Sequence, residues 1–136
     1  MHLNPDRPKK NATPDMILGS AFHTLVLEPH LFDKEYAIEP KRVLLKDVGR
    51  DAYEAYKVTC EHLEKSKLTI LTHEELTTLN AMANALERDV RVQELMNDGE
   101  IEKSFFWKDE GSGLMVKARP DILQSNMIID LKTIAD

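Results

Sequence analysis

The stretch that most constrains this chain lies near its end, in residues 116–133, VKARPDILQSNMIIDLKT. It places Pro120-Asp121 before one hydrophobic run, and Asp130 and Lys132 at the end of the next. Residues two apart on a β-strand point to the same face, so Asp130 and Lys132 should share a face. The polar residues 124–127 are typical of a tight turn. The sequence therefore predicts a hairpin that carries two carboxylates and one amine.

The register of this hairpin predicts a cation site. With Ser125-Asn126 as the two turn residues, Asp121 faces Asp130 and Ile122 faces Ile129. Directly opposed carboxylates repel each other, which makes the arrangement costly unless a cation lies between them. A hard divalent ion with oxygen ligands is the natural candidate.

Two neighbouring residues extend this predicted site. Pro120 lies opposite Leu131 and has no N–H, so the Leu131 carbonyl lacks a ladder partner and is a predicted third oxygen ligand. Lys132 can then reach the water of the same ion or an anionic substrate. By itself the pattern also fits a turn aspartate and a lysine that protects a strand edge. The rest of the chain must decide between these interpretations.

Composition excludes several classes of protein. The 136 residues fit at most one domain, and 42% hydrophobic residues are enough to build a core. Cys60 is the single cysteine, which excludes a disulfide framework and a cysteine-ligated iron–sulfur cluster or zinc ribbon within this chain. No apolar run reaches the length of a membrane span, so we expect a cytoplasmic protein with no membrane partner. The net charge of −6 argues against a protein that coats nucleic acid.

The remaining patterns predict an α+β fold, with helices packed on a mixed sheet. Residues 1–12 are expected to form an extended arm, residues 13–98 to be mainly helical, and residues 99–136 to form an antiparallel β meander that carries the site. The meander is predicted as a strand over 100–108, a turn at 109–113, a strand from 114 into Pro120-Asp121, and a strand over 127–131. A short strand is also predicted at 35–39.

Three helices have recognisable ends. The first begins after Thr13 as N-cap and runs to about Leu27, and its apolar residues on most sides predict a buried helix. The second is an amphipathic helix over 50–67. The third begins at Thr72, where Glu75 completes a capping box, and its predicted C-cap is Gly99.

Two polar residues in these elements allow two interpretations each. His23 lies in the apolar first helix, with the small residues Gly19 and Ser20 one turn earlier on its face. They leave room for a group to approach the imidazole, but a hydrogen-bonded core histidine explains the same pattern. Glu102 either points to the same face as Asp121 or is a solvated strand residue.

Four segments together carry a resemblance to a known family. They are LNPDRP at 3–8, GSAFHTLVLEP at 19–29, GEIEKSFFW at 99–107 and KARPD…IIDLKT at 117–133. In this order, they resemble the nuclease domain of RecE-type exonucleases (exodeoxyribonuclease VIII). That family lies in the PD-(D/E)xK superfamily, which also includes lambda exonuclease and RecB-type nucleases. The helix histidine together with RPD and DxKT makes the resemblance far more specific than PD…DxK alone.

The resemblance implies a role for each matching residue. His23, Asp121 and Asp130 would bind the metal, Mg²⁺ or Mn²⁺, with the carbonyl of Leu131 assisting. Lys132 would orient or activate the attacking water and stabilise charge on the phosphate. Three further positions follow from the same resemblance: an acidic metal position at Glu102, and DNA contacts at Arg119 and Thr133.

The resemblance also implies a biological setting. Proteins of this family degrade one strand of double-stranded DNA from a 5′ end, form rings around the duplex and feed homologous recombination. The implied partners are therefore double-stranded DNA, further copies of the chain in a ring, and a single-strand annealing recombinase, in a phage or prophage system.

One departure from the family suggests alternatives. Family members continue past the motif lysine with a helix and a strand and begin before LNPDRP, so we expect a single partial nuclease domain that is incomplete at its C-terminus. The alternatives are a truncated, inactive remnant that acts at most as an interaction module, and a PD-(D/E)xK repair endonuclease.

Overall fold

The computed structural model describes residues 12–133 of the chain. Residues 1–11 lie outside the described part, and with them nearly all of the predicted arm and the whole LNPDRP segment. Residues 134–136, at the end of the predicted meander region, also lie outside it. The helices are α1 (Pro14–Leu27), α2 (Pro29–Glu35), α3 (Leu45–Val48), α4 (Arg50–Lys65), α5 (His73–Arg88) and α6 (Val90–Met96). The strands are β1 (Tyr36–Ile38), β2 (Thr69–Leu71), β3 (Glu100–Ile101), β4 (Phe105–Lys108), β5 (Met115–Ala118), β6 (Ile122–Leu123) and β7 (Ile128–Ile129).

Helix α1 begins and ends where its sequence predicts. The hydroxyl of Thr13 accepts the N–H of Met16 at 3.3 Å, and proline occupies the first turn. The expectation of burial on most sides was wrong, because only Ala21, Phe22 and Leu27 are buried and Met16 is 59% exposed. The helix therefore buries one face and leaves the other open to solvent or to the site.

A short helix that the sequence analysis missed follows directly. Helix α2 begins at Pro29, and the ring of Phe32 in its middle stacks on that of Tyr36, with 5.1 Å between the ring centroids. Its seven residues are too few to show a clear helical period. The strand predicted at 35–39 is present as β1 but begins one residue later.

Strands β1 and β2 form a parallel pair, with Tyr36 opposite Thr69 and Ile38 opposite Leu71. Helices α3 and α4 connect the two strands, as parallel pairing requires. Gly49 joins these helices with φ of +80°, a conformation that favours glycine. Helix α4 was predicted as amphipathic, and it contains no buried residue in the structure.

The long helix predicted from Thr72 is interrupted. Its capping box is present, with the Glu75 N–H bonding to the Thr72 hydroxyl at 3.1 Å and the Glu75 carboxylate accepting the Thr72 N–H at 2.7 Å. At Asp89, however, α5 ends and α6 begins, because the Asp89 carboxylate caps the N–H groups of Arg91 and Val92. The prediction of Gly99 as the C-cap was wrong.

The antiparallel meander is present, with its strands broken into shorter pieces. Strand β4 pairs with β5, and β6 pairs with β3 on one side and β7 on the other. The predicted register of the last hairpin is confirmed, because Ile122 lies opposite Ile129 and Leu123 opposite Ile128. The breaks fall near Glu102, whose φ of +52° is uncommon for a residue other than glycine.

The described residues bury a small core between the helices and the parallel strands. Its members come from α1, β1, β2 and α5: Ala21, Phe22, Tyr36, Leu71 and Leu79. Ile122 in β6 is fully buried as well. Among the described helices, none is long and apolar enough to cross a membrane.

Candidate metal-binding active site

The candidate site is built around Asp121, which directly precedes β6 and is only 8% exposed. Its backbone carbonyl accepts the N–H of Glu102 at 2.9 Å, which continues the β3–β6 ladder by one residue. Its side-chain Oδ2 accepts the N–H of Leu131 at 2.6 Å. A buried carboxylate needs such partners, because burial without them strongly disfavours the charged form. Backbone groups from both neighbouring strands therefore hold Asp121 in place.

His23 reaches the same point from α1. Its Nδ1 lies 3.5 Å from Oδ1 of Asp121, and its Nε2 lies 3.0 Å from the carbonyl oxygen of Leu131. A neutral imidazole has one N–H donor and one lone pair, and only its Nε2–H can satisfy the carbonyl. The lone pair of Nδ1 then faces a carboxylate oxygen, and this contact is favourable with a proton on Nδ1 or with a metal cation between the two atoms.

Glu102 supplies a third group to this cluster. Its side chain is 12% exposed, and its Oε2 lies 2.7 Å from Nε of Arg119. One ligand atom each from His23, Glu102 and Asp121 lies within 4.8 Å of the other two. Of the two interpretations of Glu102, the structure therefore supports an orientation toward Asp121.

These three residues fit a divalent cation. One imidazole nitrogen and two carboxylates converge from three elements, and the two carboxylates would repel each other without a positive charge between them. The Leu131 carbonyl holds the far nitrogen of the histidine, which is the usual way of orienting a histidine ligand. A mixed set of one nitrogen and two carboxylate ligands suits a divalent metal ion.

The carbonyl of Leu131 contacts a histidine that was not expected beside it. This carbonyl was expected to bind the metal because Pro120 cannot donate to it. The ladder donor is absent as expected, but the Nε2 of His23 occupies that position at 3.0 Å. Leu131 thus positions Asp121 through its N–H and His23 through its carbonyl. Its role as a metal ligand stays a prediction.

Asp130 and Lys132 form a pair at the edge of the cluster. Their Oδ2 and Nζ atoms are 2.5 Å apart, and the side chains are 50% and 73% exposed. The hydrogen bond from Lys132 holds the pKa of Asp130 below its ordinary value of 3.8. The same bond raises the pKa of Lys132 above 10.5, so this amine is a cation at neutral pH. Asp130 lies outside the group of three, and its role as a ligand stays a prediction.

A cleft of about 890 Å³ opens onto the cluster. His23, Glu102, Asp121, Arg119 and Thr133 all line it, which places both predicted DNA contacts beside the candidate metal ligands. Helix α1 approaches closely here, because a Cβ on Gly19 would lie 3.3 Å from the hydroxyl of Thr133. Gly19 and Ser20 line the cleft together with His23, so the room expected beside the imidazole is present.

The cleft is acidic beyond the three-residue cluster. Its lining also includes the carboxylates of Asp15, Glu28 and Glu35. Arg119 is the one lysine or arginine among the described residues that line it. A polyanion would be repelled by this lining unless cations neutralise part of it. Neither this acidity nor the Arg119–Glu102 pair was predicted from the sequence, because no local pattern indicates either one.

The comparisons with known proteins place the chain in a family. Residues 2–136 match the model of a family described as a PDDEXK-like domain of unknown function, DUF3799. No protein of curated function matches the sequence significantly. The mixed helix and sheet architecture agrees with the α+β, restriction-endonuclease-like fold of PDDEXK domains, and the PDDEXK character indicates a nuclease. The chain belongs to the PDDEXK-like family DUF3799.

Proposed function

We propose that the chain is the nuclease domain of a metal-dependent DNA exonuclease of the RecE type, which hydrolyses phosphodiester bonds. The observation that carries this proposal is the convergence of His23, Glu102 and Asp121 within 4.8 Å, beside a lysine that is charged at neutral pH. The resemblance of the four motif segments supports the RecE type.

Each residue of the cluster has a proposed role. His23, Glu102 and Asp121 would hold Mg²⁺ or Mn²⁺, and Asp130 would join them once its carboxylate leaves Lys132. Such an ion polarises a phosphate and makes water a better nucleophile. Lys132 would orient the attacking water and neutralise charge on the phosphate. Its raised pKa supports these roles over that of a proton acceptor. Arg119 and Thr133 would contact the DNA backbone in the cleft.

The finer points of the proposal rest on the resemblance. They are digestion of one strand from a 5′ end of a duplex, assembly into a ring, cooperation with a single-strand annealing recombinase and a role in homologous recombination. An inactive interaction module is the second candidate, and the acidic residues that line the cleft favour it because they would repel a DNA backbone.

The test is a nuclease assay on linear duplex DNA, with a label at either 5′ end or 3′ end. We expect degradation with Mg²⁺ or Mn²⁺, none with a chelator, and a loss of about 10²-fold or more in Asp121→Asn and Lys132→Ala. Asp109→Asn is the matched control, because Asp109 lies in the β4–β5 turn, where its carboxylate bonds to Ser112.

Three outcomes would contradict parts of the proposal. Full activity in both site variants would assign the cleavage to another site or to a contaminant. Cutting of closed circular DNA would favour a repair endonuclease over an exonuclease. No metal-dependent cleavage by the wild-type chain would favour the inactive module.

A further inference from the structure

The β4–β5 hairpin exposes different side chains on its two faces. Phe106 and Trp107 are adjacent in β4, so they point to opposite faces of the hairpin. They are 64% and 47% exposed. Phe106 lies opposite Lys117, whereas Trp107 lies opposite Val116. The two faces therefore differ in charge.

We call the face that carries Phe106, Lys108, Met115 and Lys117 the basic face. Lys108 lies opposite Met115, one pair along from Phe106 and Lys117 on the same side. The Nζ of Lys117 lies 5.5 Å from the ring centroid of Phe106, which places both on one face. None of these four residues is acidic, and all four are exposed. The carboxylate of Asp109, in the adjoining turn, is engaged by Ser112.

The basic face leads toward the cleft. Arg119 follows Lys117 by two residues, a distance of roughly 6.6 Å along a strand. Arg119 lines the cleft, and its Nε lies 2.7 Å from Glu102 of the candidate metal cluster. Three cationic side chains, Lys108, Lys117 and Arg119, thus run from the hairpin to the site in a chain whose net charge is −6.

We propose that the basic face binds an unpaired strand of DNA, with one base stacked on Phe106 and phosphates at Lys108 and Lys117. This inference rests on the proposed function. It adds a position for the DNA strand outside the cleft, on the β4–β5 hairpin. Exposed aromatic rings among cationic side chains are typical of surfaces that bind single strands without sequence preference. A duplex hides the faces of its bases, so stacking on Phe106 requires an unpaired nucleotide.

The contact between Lys117 and Phe106 is compatible with this role. An exposed cation–π contact is weaker than the stacking of a base on an aromatic ring. An incoming base can therefore displace the ammonium from the ring, and the displaced ammonium lies next to the strand's phosphate. The same four residues then provide both kinds of contact.

The test is the binding of a fluorescent oligothymidylate to the chain, followed by anisotropy in the presence of a chelator so that no cleavage occurs. We expect Phe106→Ala to weaken binding about tenfold, the effect of losing one stacked base. Lys117→Ala should lower the slope of log K against log salt by about 0.7, the contribution of one phosphate contact on a single strand.

Matched controls lie off the basic face: Trp107 is on the opposite face of the hairpin, and Lys103 precedes β4. Trp107→Ala removes an exposed neighbour of Phe106, and Lys103→Ala removes a lysine whose Nζ lies 5.7 Å from the ring of Phe105. Both variants should bind the oligonucleotide as the wild type does. Losses equal to those of Phe106→Ala and Lys117→Ala would overturn the proposal, as would unchanged binding in those two variants.

Two further measurements separate the remaining explanations. Phe106→Ala should not weaken binding of a blunt duplex as much as binding of the single strand, and equal weakening would overturn the stacking model. Wild-type self-association that Phe106→Ala abolishes, with unchanged DNA binding, would make this face an interface between copies instead. Cleavage of duplex DNA by the wild type, combined with unaltered binding in Phe106→Ala, would leave the proposed function standing and refute this inference alone.

Discussion

At the scale of single residues, Asp121 combines two tasks on one carboxylate. Its Oδ2 accepts the Leu131 N–H at 2.6 Å, while its Oδ1 faces His23 at 3.5 Å. The first contact joins two backbone segments, and the second forms part of the candidate metal site. An amide in place of the carboxylate can keep the first contact, because its oxygen still accepts the N–H, but it lacks the negative charge that a cation requires.

We therefore expect Asp121→Asn to lose metal binding with little change in metal-free stability. Thermal unfolding of the wild type should shift to a higher midpoint with Mn²⁺, since a ligand of the native state stabilises it, and the variant should show no shift. Asp109→Asn is the control and should keep the full shift. Unfolding of Asp121→Asn without metal would mean that the carboxylate is structural. The same measurement on Asp130→Asn, for which we expect loss of the shift, tests whether Asp130 is a ligand.

The Asp130–Lys132 pair predicts a dependence of stability on pH. The pKa of Asp130 is lowered by Lys132, so its contribution is present above 3.8 and is lost as pH falls through the lowered value. The pKa of Lys132 is raised by Asp130, so its contribution is present below 10.5 and is lost as pH rises through the raised value. Both groups are largely exposed, and solvent keeps the contribution small.

We expect the difference in unfolding free energy between the wild type and Asp130→Asn to be constant from about pH 5 to about pH 9. It should shrink at both extremes. Denaturant unfolding across this range, without metal, provides the measurement. A difference that stays constant through both extremes would show that the pair is not formed in solution.

At the scale of elements, the connection between α6 and β3 packs closely against β6, and this contact holds part of the meander together. Gly99 lies in this connection, and a Cβ built there would lie 2.0 Å from the Cγ2 of Ile122, which is fully buried. This glycine was predicted to be a helix C-cap, but the structure explains it by close packing. Ile122 directly follows Asp121, so the packing also supports the site.

Gly99→Ala should therefore destabilise the fold by about 1–3 kcal/mol, the usual cost of overpacking. Alanine lowers the entropy of the unfolded chain by an equivalent of about 0.4–1 kcal/mol, which offsets only part of that cost. Gly111→Ala is the matched control, because its Cβ would meet its nearest neighbour at an ordinary 3.6 Å. Urea unfolding of both variants gives the two values, and equal stability would contradict the packing argument.

At the scale of the whole molecule, the described residues share a small core. Its fully or nearly buried members include Ala21, Phe22, Leu71 and Leu79, and many large apolar side chains elsewhere are exposed. A fold with few buried residues depends strongly on each one, because total stabilities are typically only about 5–15 kcal/mol.

Phe22→Ala should cost about 3–5 kcal/mol, a large part of that total. Met16→Ala, in the same helix but at a position that is 59% exposed, should stay within about 0.5 kcal/mol of the wild type. Urea denaturation followed by circular dichroism compares the two. A similar midpoint for both variants would mean that α1 does not pack against the core in solution.

Local rules account for what the sequence alone determined. The cap at Thr13, the capping box at Thr72 and Glu75, and the register of the last hairpin all follow from residues within a few positions of each other. Such contacts depend on backbone geometry that one short segment already contains. The position of Asp121 next to its hairpin partners was predictable for this reason. The PD…DxK pattern that resembles a nuclease motif lies in the same short segment.

Contacts between distant segments were decided only by the tertiary structure. His23 meets Leu131 across 108 positions, the acidic side chains of α1 and α2 converge on the cleft, and β1 pairs with β2 across two helices. Glu102, whose φ is positive, pairs with Arg119, which lies 17 positions later in the chain. No local pattern specifies these outcomes, because each depends on how the packed elements bring side chains together and on which charges then have to be neutralised.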